Sequence, residues 1–396
     1  MNVKNRTIFC KDNLFILRGL DTNSVDLIYL DPPFNSNRDY AAPIGSEAAG
    51  AAFKDTWTLS DVDNAWHGEI ADKEPALYQA ISAAELTHGK GMKSYLIMMA
   101  VRLLEMKRIL KETGSIYLHV DPTASHYLKT IMDGIFGKNN FRNEIVWGYR
   151  TGGNSKKQFA RKHDIILFYS NGKNWMYNPQ KEQSYCSSSP PGFKGIEKYK
   201  DESGRWYTMA SMRDIWEINA IGRTAKERCG YPTQKPLALL QRIIKASSNP
   251  GDIVLDPFCG CATTCVAAEQ LDRQWIGIDV SKKAIELVRS RLEKTVGFLG
   301  KIIGRYDIPK RSEKIPSYKG HKHTLFGKQE GKCNGCEHQF PFRNMTIDHI
   351  VPKSKGGTDH EENLQLLCGA CNSTKNNGTQ AELIARLKEQ KILPAV

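Results

Sequence analysis

An apolar run, Val25-Asp26-Leu27-Ile28-Tyr29-Leu30, halts at Asp31-Pro32-Pro33-Phe34. Six such residues closed by a proline turn have the length and pattern of a β-strand buried in a parallel sheet. A carboxylate, two stiff prolines and an aromatic ring then stand at the carboxyl end of that strand, where open α/β sheets bind their ligands. The prolines fix φ and remove two N–H donors, which leaves nearby carbonyls free to accept hydrogen bonds. Taken alone, the same four residues are equally an ordinary turn after a strand. Downstream, Leu96, Met99, Ala100, Leu103 and Leu110 recur at helical spacing across Ser94 to Leu110, Gly114 stands where such a helix would stop, and Ser115 to Val120 reads as another strand. Alternation of this kind predicts an α/β fold.

A second signal settles what the first leaves open. Leu237, Leu240, Ile243 and Ile244 predict an amphipathic helix, and the strand Ile253 to Leu255 then leads into Asp256-Pro257-Phe258-Cys259-Gly260-Cys261-Ala262-Thr263-Thr264. Small residues opening a helix let backbone approach a ligand closely. About 20 residues further on, the strand Trp275 to Ile278 ends in Asp279, where an acid accepts hydrogen bonds from ribose hydroxyls. Loop, strand and acid together indicate a nucleoside cofactor.

With these motifs in this order, the chain resembles the DNA amino-methyltransferases of the N6-adenine and N4-cytosine type, in the class whose Asp-Pro-Pro-Phe motif precedes the S-adenosylmethionine loop. The resemblance runs from Arg6 to Gly297. It implies a Rossmann-like sheet with helices on both faces. Asp31, Pro32, Pro33 and Phe34 are then the catalytic tetrad, and Asp256, Phe258, Gly260 and Thr263 are cofactor-loop residues. Asp279 would meet the ribose, with Lys235 and Pro236 of Thr233-Gln234-Lys235-Pro236 near the methionine end. The family loop usually has a second glycine where this chain has Ala262, which puts cofactor affinity in question. In this family an Asp at the first motif position resembles adenine-N6 enzymes and a Ser resembles cytosine-N4 enzymes, so Asp31 favours adenine. Transfer would be direct, onto a base flipped out of the duplex. Cys259, Cys261 and Cys265 lack the Pro-Cys dipeptide of cytosine-C5 enzymes and read as small packing residues.

Between the two motifs, residues 171–230 lose α/β periodicity and gather Trp175, Tyr177, Tyr185, Trp206, Tyr207 and Trp216, with a Ser-Pro-rich patch from Ser187 to Gly192. The resemblance makes this the target-recognition region. Residues 300–330 are basic and weakly periodic, with Lys310, Arg311, Lys314, Lys319, Lys322 and Lys328, and read as a linker.

The C-terminal residues 331–396 carry Cys333-x-x-Cys336 and Cys368-x-x-Cys371, two pairs of soft ligands suited to a structural zinc ion. Between them lie Asp348-His349-Ile350-Val351-Pro352 and Asn363-Leu364, and Asn372 follows the last cysteine. Residues 331–377 resemble the HNH endonucleases, a zinc-stapled ββα-metal unit. By that resemblance His349 is the general base, Asp348 a ligand of a catalytic Mg²⁺ or similar ion, and Asn363 the residue that orients the base loop. Asn372 stands where many members have a histidine as second metal ligand. Gln380 to Ile392 reads as a closing helix.

Bulk properties agree. Lys and Arg number 56 against 43 Asp and Glu, a net charge of +13, which favours a polyanionic partner such as double-stranded DNA. No run reaches the length of a membrane helix, and Met1 to Leu20 mixes charges, so the expectation is a cytoplasmic protein whose ten cysteines stay reduced. The expected limits are a methyltransferase over 1–299, the linker, and the HNH module over 331–396. Two further readings stay open: a methyltransferase whose HNH module only binds DNA, and a nucleic-acid-binding protein on a degenerate methylase fold.

Overall fold

The computed structural model describes residues 1–34, 38–41, 52–55, 70, 74–150, 155–186, 197–222, 224–231, 233–296, 301–312, 318–355 and 363–393. The Ser187 to Gly192 patch, Lys314 and the end of the loop after Lys355 lie outside them. The chain divides into two compact units, Met1–Asp55 with Glu105–Lys310, and Thr56–Leu104 with Arg311–Val396.

The first unit is built on a nine-stranded sheet. Its strands in chain order are β1 (Thr7–Cys10), β2 (Val25–Leu30), β5 (Leu110–Val120), β6 (Phe141–Gly148), β7 (His163–Ser170), β11 (Ile215–Glu217), β12 (Ile253–Asp256), β13 (Gln274–Asp279) and β14 (Ile303–Arg305). β3 (Arg38–Ala41) and β4 (Ala52–Asp55) form an antiparallel pair, and β8 (Lys181–Tyr185), β9 (Lys198–Lys200) and β10 (Trp206–Ser211) form an antiparallel three-stranded sheet. The order across the large sheet is β11-β6-β7-β5-β2-β12-β13-β1-β14. Among the described strands, β7 runs against both neighbours and every other adjacent pair is parallel. The carboxyl ends of eight strands and the start of β7 therefore share one edge.

Alternate residues of β2 and β5 explain why the runs are apolar throughout. Leu27, Tyr29 and Tyr117 turn to one face and Ile28, Leu30, Ile116 and Leu118 to the other, and all are buried. The first set joins a core with Leu240, Ile243 and Ile244 of the helix Leu237–Ser247 and Val266 and Ala267 of the helix Thr263–Gln270.

Four expectations shift. The helix before β5 is much longer, Pro75–Ile109, with a non-helical break at Gly89, and Gly114 lies inside β5 rather than capping the helix. A Cβ at Gly114 would stand 2.7 Å from Leu110 and 2.9 Å from the carbonyl of Asp26, so the glycine serves close strand packing. Residues 303–305, expected as linker, extend the sheet as β14, anchored by buried Ile302. Trp216, grouped with the recognition aromatics, is a core residue of β11 whose indole donates to the carbonyl of Arg213. The other ring-bearing residues divide: Tyr185, Trp206 and Tyr207 sit on the small sheet, and the Arg142 guanidinium lies 3.4 Å over Trp175.

In the second unit β15 (Met345–His349) pairs antiparallel with β16 (Leu364–Cys368), and the helix Gly369–Lys375 follows at once. The closing helix spans Gln380–Glu389 and starts in a capping box made by Thr379 and Glu382. Its Leu383 and Leu387 pack with Leu325, Met345, Leu366 and the four cysteines. No helix among the described residues is long and apolar enough to cross a membrane.

Candidate functional site

β2 delivers Asp31 to the ligand edge of the sheet, and β12 and β13, the next two strands, deliver Asp256 and Asp279 to the same edge. Residues far apart in sequence meet there because parallel neighbours align their ends.

Asp31 is held by Lys235, whose Nζ donates to Oδ2 at 2.5 Å. The lysine side chain is 8% exposed and the aspartate 18%. Oδ1 of Asp31 is buried and has no hydrogen-bond partner among the described residues. Lys235, expected near the methionine end of a cofactor, places its ammonium against the first residue of the tetrad and 5.1 Å from the centre of the Phe34 ring. Pro236 is buried and caps the helix Leu237–Ser247.

Phe34 stacks on His119, ring centres 5.9 Å apart and 24° from parallel. His119 is fully buried in β5, and both ring nitrogens are engaged: Nδ1 lies 2.8 Å from the Tyr29 hydroxyl and Nε2 lies 3.1 Å from Oδ2 of Asp164. The Tyr149 hydroxyl donates to the other Asp164 oxygen at 3.2 Å. Burial pushes the Asp164 carboxyl up, but hydrogen bonds from His119 and Tyr149 and the charges of His119 and Lys235 outweigh it and hold it below the ordinary range. Sequence reasoning missed Tyr29, His119, Tyr149 and Asp164. The available signal was a histidine inside the apolar strand Ser115 to Val120.

The small-residue loop is fixed at both ends. Asp256 accepts from the Phe258 N–H at 3.1 Å, and burial pushes its carboxyl up to about 7 against the pull of Thr264 and that N–H. Asp279 accepts from the N–H groups of Gly260 (2.9 Å) and Ser281 (2.8 Å), and burial raises its carboxyl too. Gly260 has φ +48°, and a Cβ there would meet the Tyr231 ring at 3.0 Å. Ala262 sits in the left-handed region with φ +54°, a conformation that favours the glycine it replaces. Thr263 is buried at the start of its helix. The chemistry of this cradle fits a nucleoside cofactor with cationic groups: two carboxylates on adjacent strands, a close backbone turn, and spare lone pairs on Asp279. Cys259, Cys261 and Cys265 are buried, and their thiols are pushed up: burial leads for Cys259 and Cys265, whereas for Cys261 the hydrogen bond with Cys229 comes first and burial second. Neutral thiols in packed surroundings match their reading as small core residues.

In the second unit the Sγ atoms of Cys333, Cys336, Cys368 and Cys371 lie within 4.8 Å of one another and all four residues are buried. Backbone N–H groups of Gly335 and Cys368 donate to the Cys333 sulfur at 3.3 and 3.2 Å. Four converging sulfurs suit a tetrahedral structural zinc ion, which they could hold as thiolates. Some way along β15, Oδ2 of Asp348 takes the Nζ of Lys375 (2.9 Å) and Nε2 of Gln365 (3.0 Å). Lys375 is fully buried and also donates to the carbonyl of His349 at 2.7 Å. Asn363 grips Val351 through two hydrogen bonds of 2.9 Å, one to its N–H and one to its carbonyl, just after His349. Asn372 and Lys375 ride the same short helix. One oxygen of Asp348 is thus committed to protein partners.

Comparison with known proteins finds two families along the chain. A family model described as DNA methylase matches residues 25–290, and one described as HNH endonuclease matches residues 333–378. The type II methyltransferase M.HpaI of Haemophilus parainfluenzae is 28% identical over 293 residues, 73% of this chain and 74% of that one. The DNA adenine methyltransferase YhdJ of Escherichia coli K12 is 27% identical over 291 residues, 73% and 83% of the two chains. Among solved structures, the M1.HpyAVI–SAM complex is 19% identical, with 72% of this chain and 98% of that one aligned and a TM-score of 0.41. With the methylase match spanning both the Asp31 and Asp256 strands, the chain belongs to the DNA methylase family and carries an HNH endonuclease domain at its C-terminal end.

Proposed function

We propose that this chain transfers a methyl group from S-adenosylmethionine to N6 of an adenine flipped out of duplex DNA, at a specific site. We propose also that its HNH module cuts DNA with a divalent metal, in a restriction-modification setting. The methyltransferase spans 1–299 and continues through β14 (Ile303–Arg305), target recognition falls in 171–230 outside the core strand β11, residues 306–330 connect, and 331–396 forms the nuclease.

The observation that carries the first part is the half-satisfied carboxylate of Asp31. A buried acceptor without a partner costs about 1–3 kcal/mol, so Oδ1 favours a ligand that brings an N–H to it. An exocyclic amino group is such a donor. Its lone pair is delocalised into the ring, and an N–H drawn to Asp31 favours the tetrahedral, attacking geometry. Lys235 holds the carboxylate in place through Oδ2 while Oδ1 turns to the base. Phe34, braced by His119, offers its ring to the flipped base. Asp256, Phe258, Gly260, Thr263 and Asp279 hold the cofactor, which when bound supplies an electrophilic methyl on a sulfonium that leaves as a neutral thioether. Adenine is favoured over cytosine N4 by Asp31 at the first motif position and by the likeness to the Escherichia coli DNA adenine methyltransferase YhdJ.

For the nuclease, His349 takes a proton from water, Asn363 fixes the loop that carries it, and Asp348 with Asn372 binds Mg²⁺ or a similar ion, while the four cysteines hold zinc.

The test uses S-adenosylmethionine with a labelled methyl group and mixed-sequence DNA. Label recovered as N6-methyladenine that disappears in Asp31→Ala supports the reading; label recovered only as N4-methylcytosine replaces adenine by cytosine, and no label from the intact protein ends it. Separately, Mg²⁺-dependent cleavage that survives His349→Ala would remove the nuclease assignment.

A further inference from the structure

β6 and β7 are joined at the ligand edge of the sheet by a loop whose described part, residues 155–162, holds Phe159 at 98% exposure. No other large apolar side chain among the described residues is so completely exposed. The loop closes on itself through the Tyr149 N–H, which donates to the carbonyl of Lys162 at 3.0 Å. Both of its ends belong to the site. Tyr149 at one end bonds Asp164 just beyond the other, and Asp164 bonds the histidine that backs Phe34.

The charges carried by the loop itself have one sign. Lys156, Lys157, Arg161 and Lys162 flank Phe159, and no acid occurs from Tyr149 to His163. Four residues of extended chain span at most about 14 Å, which keeps Phe159 close to the base site. An apolar ring on a cationic loop beside the base site is suited to one partner: duplex DNA, with cations on phosphates and the ring between bases.

We infer that Phe159 is the wedge that enters the duplex where the target nucleotide leaves. Its ring stacks on the bases that lose their neighbour, and Lys156, Lys157 and Arg161 hold the flanking phosphates. Phe159 is a positioning residue: it acts on the equilibrium between stacked and flipped base and makes no contact with the methyl group. The inference rests on the proposed base-flipping transfer.

The experiment compares wild type, Phe159→Ala and Phe159→Trp, with the target sequence first read from DNA methylated by wild type. Each protein is given a fully paired duplex and the same duplex with an abasic site opposite the target base, which is already unpaired. Stacking on an aromatic ring is lost in Phe159→Ala, so kcat/KM on paired DNA should fall roughly 50-fold. On the abasic duplex wild type and Phe159→Ala should agree within about threefold, and Phe159→Trp should keep most of the activity on both. Equal rates for wild type and Phe159→Ala on paired DNA overturn the inference, and so does an equal loss on both substrates, which would mark plain DNA affinity. If wild type labels no DNA at all, the failure lies in the proposed transfer and Phe159 is not the cause. Because Phe159 is fully exposed, its replacement leaves the core untouched.

Discussion

Replacing Asp256 by asparagine should flatten the pH dependence of stability. In the native protein burial pushes this carboxyl up to about 7, whereas the unfolded chain titrates near 3.8. Between those values the native state keeps a proton that the unfolded state has released. The unfolded state binds fewer protons there, so stability falls as pH rises, by about 1.4 kcal/mol per unit. The loss begins near pH 4, totals about 4 kcal/mol and is complete above pH 7. From pH 5 to pH 8 wild type should lose about 3 kcal/mol more than Asp256→Asn, whose amide is neutral throughout and keeps an oxygen for the Phe258 N–H. For a unit of this size that corresponds to roughly 6–12 °C in Tm. Circular dichroism melts of both proteins at pH 5, 6, 7 and 8, without cofactor, measure it. Asp279 also shifts upward, chiefly through its own burial, which the substitution leaves in place. A gap between the two proteins that stays constant from pH 5 to 8 would refute the argument.

Four further outcomes are expected. Lys235→Met removes the charge-assisted bond to Asp31 from a nearly dry site, and methyl transfer should fall about 100-fold; Lys235→Arg should recover part of it, and label transfer equal to wild type by Lys235→Met would exclude a role for the ammonium. The purified protein should carry one zinc per chain by elemental analysis, released as four thiols are titrated with a mercurial; release should expose residues 331–393 to protease, since zinc binding and folding are coupled in so small a core. Gly260→Ala adds a Cβ against Tyr231 in the left-handed region and should cost about 1–2 kcal/mol with a raised KM for S-adenosylmethionine. Ala262→Gly should be near neutral in thermal melts, because relief of about 1 kcal/mol of backbone strain is offset by about 0.8 kcal/mol of lost methyl burial.

What the residues announce and what they hide can be separated physically. β2, β12 and β13 were legible because strands buried on both faces must be apolar throughout, and each ends on a carboxylate that stands out against the run. The cysteine quartet was legible because its pair spacing is set by the ligand geometry. His119 was not, since its importance comes from strand order: only the adjacency of β5 and β2 brings it under Phe34, and nothing local in Ser115 to Val120 states that adjacency. The resemblance turned Lys235 toward a cofactor, and its pairing with Asp31 was not legible, because a long side chain chooses its partner in three dimensions. β11 is three residues long, too short for any period to show, which left Trp216 among the recognition aromatics. Lys375 carried no sequence signal, because a lysine is ordinarily a surface residue and only full burial against Asp348 marks it out.

The position of β12 and β13 has a consequence for how the protein is made. β1 and β2 lie close together in the sequence, but in the sheet β12 and β13 stand between them. On a ribosome the N-terminal strands emerge first, and the flank of β2 that pairs with Val254 and Leu255 has no partner until roughly 200 more residues have been added. At typical synthesis speeds that is a delay of about 10–40 s, during which an apolar strand edge is open to wrong pairing. The nascent chain therefore depends on its late-arriving strands to close its own middle, and truncation before residue 256 should yield an aggregating product rather than a smaller folded one.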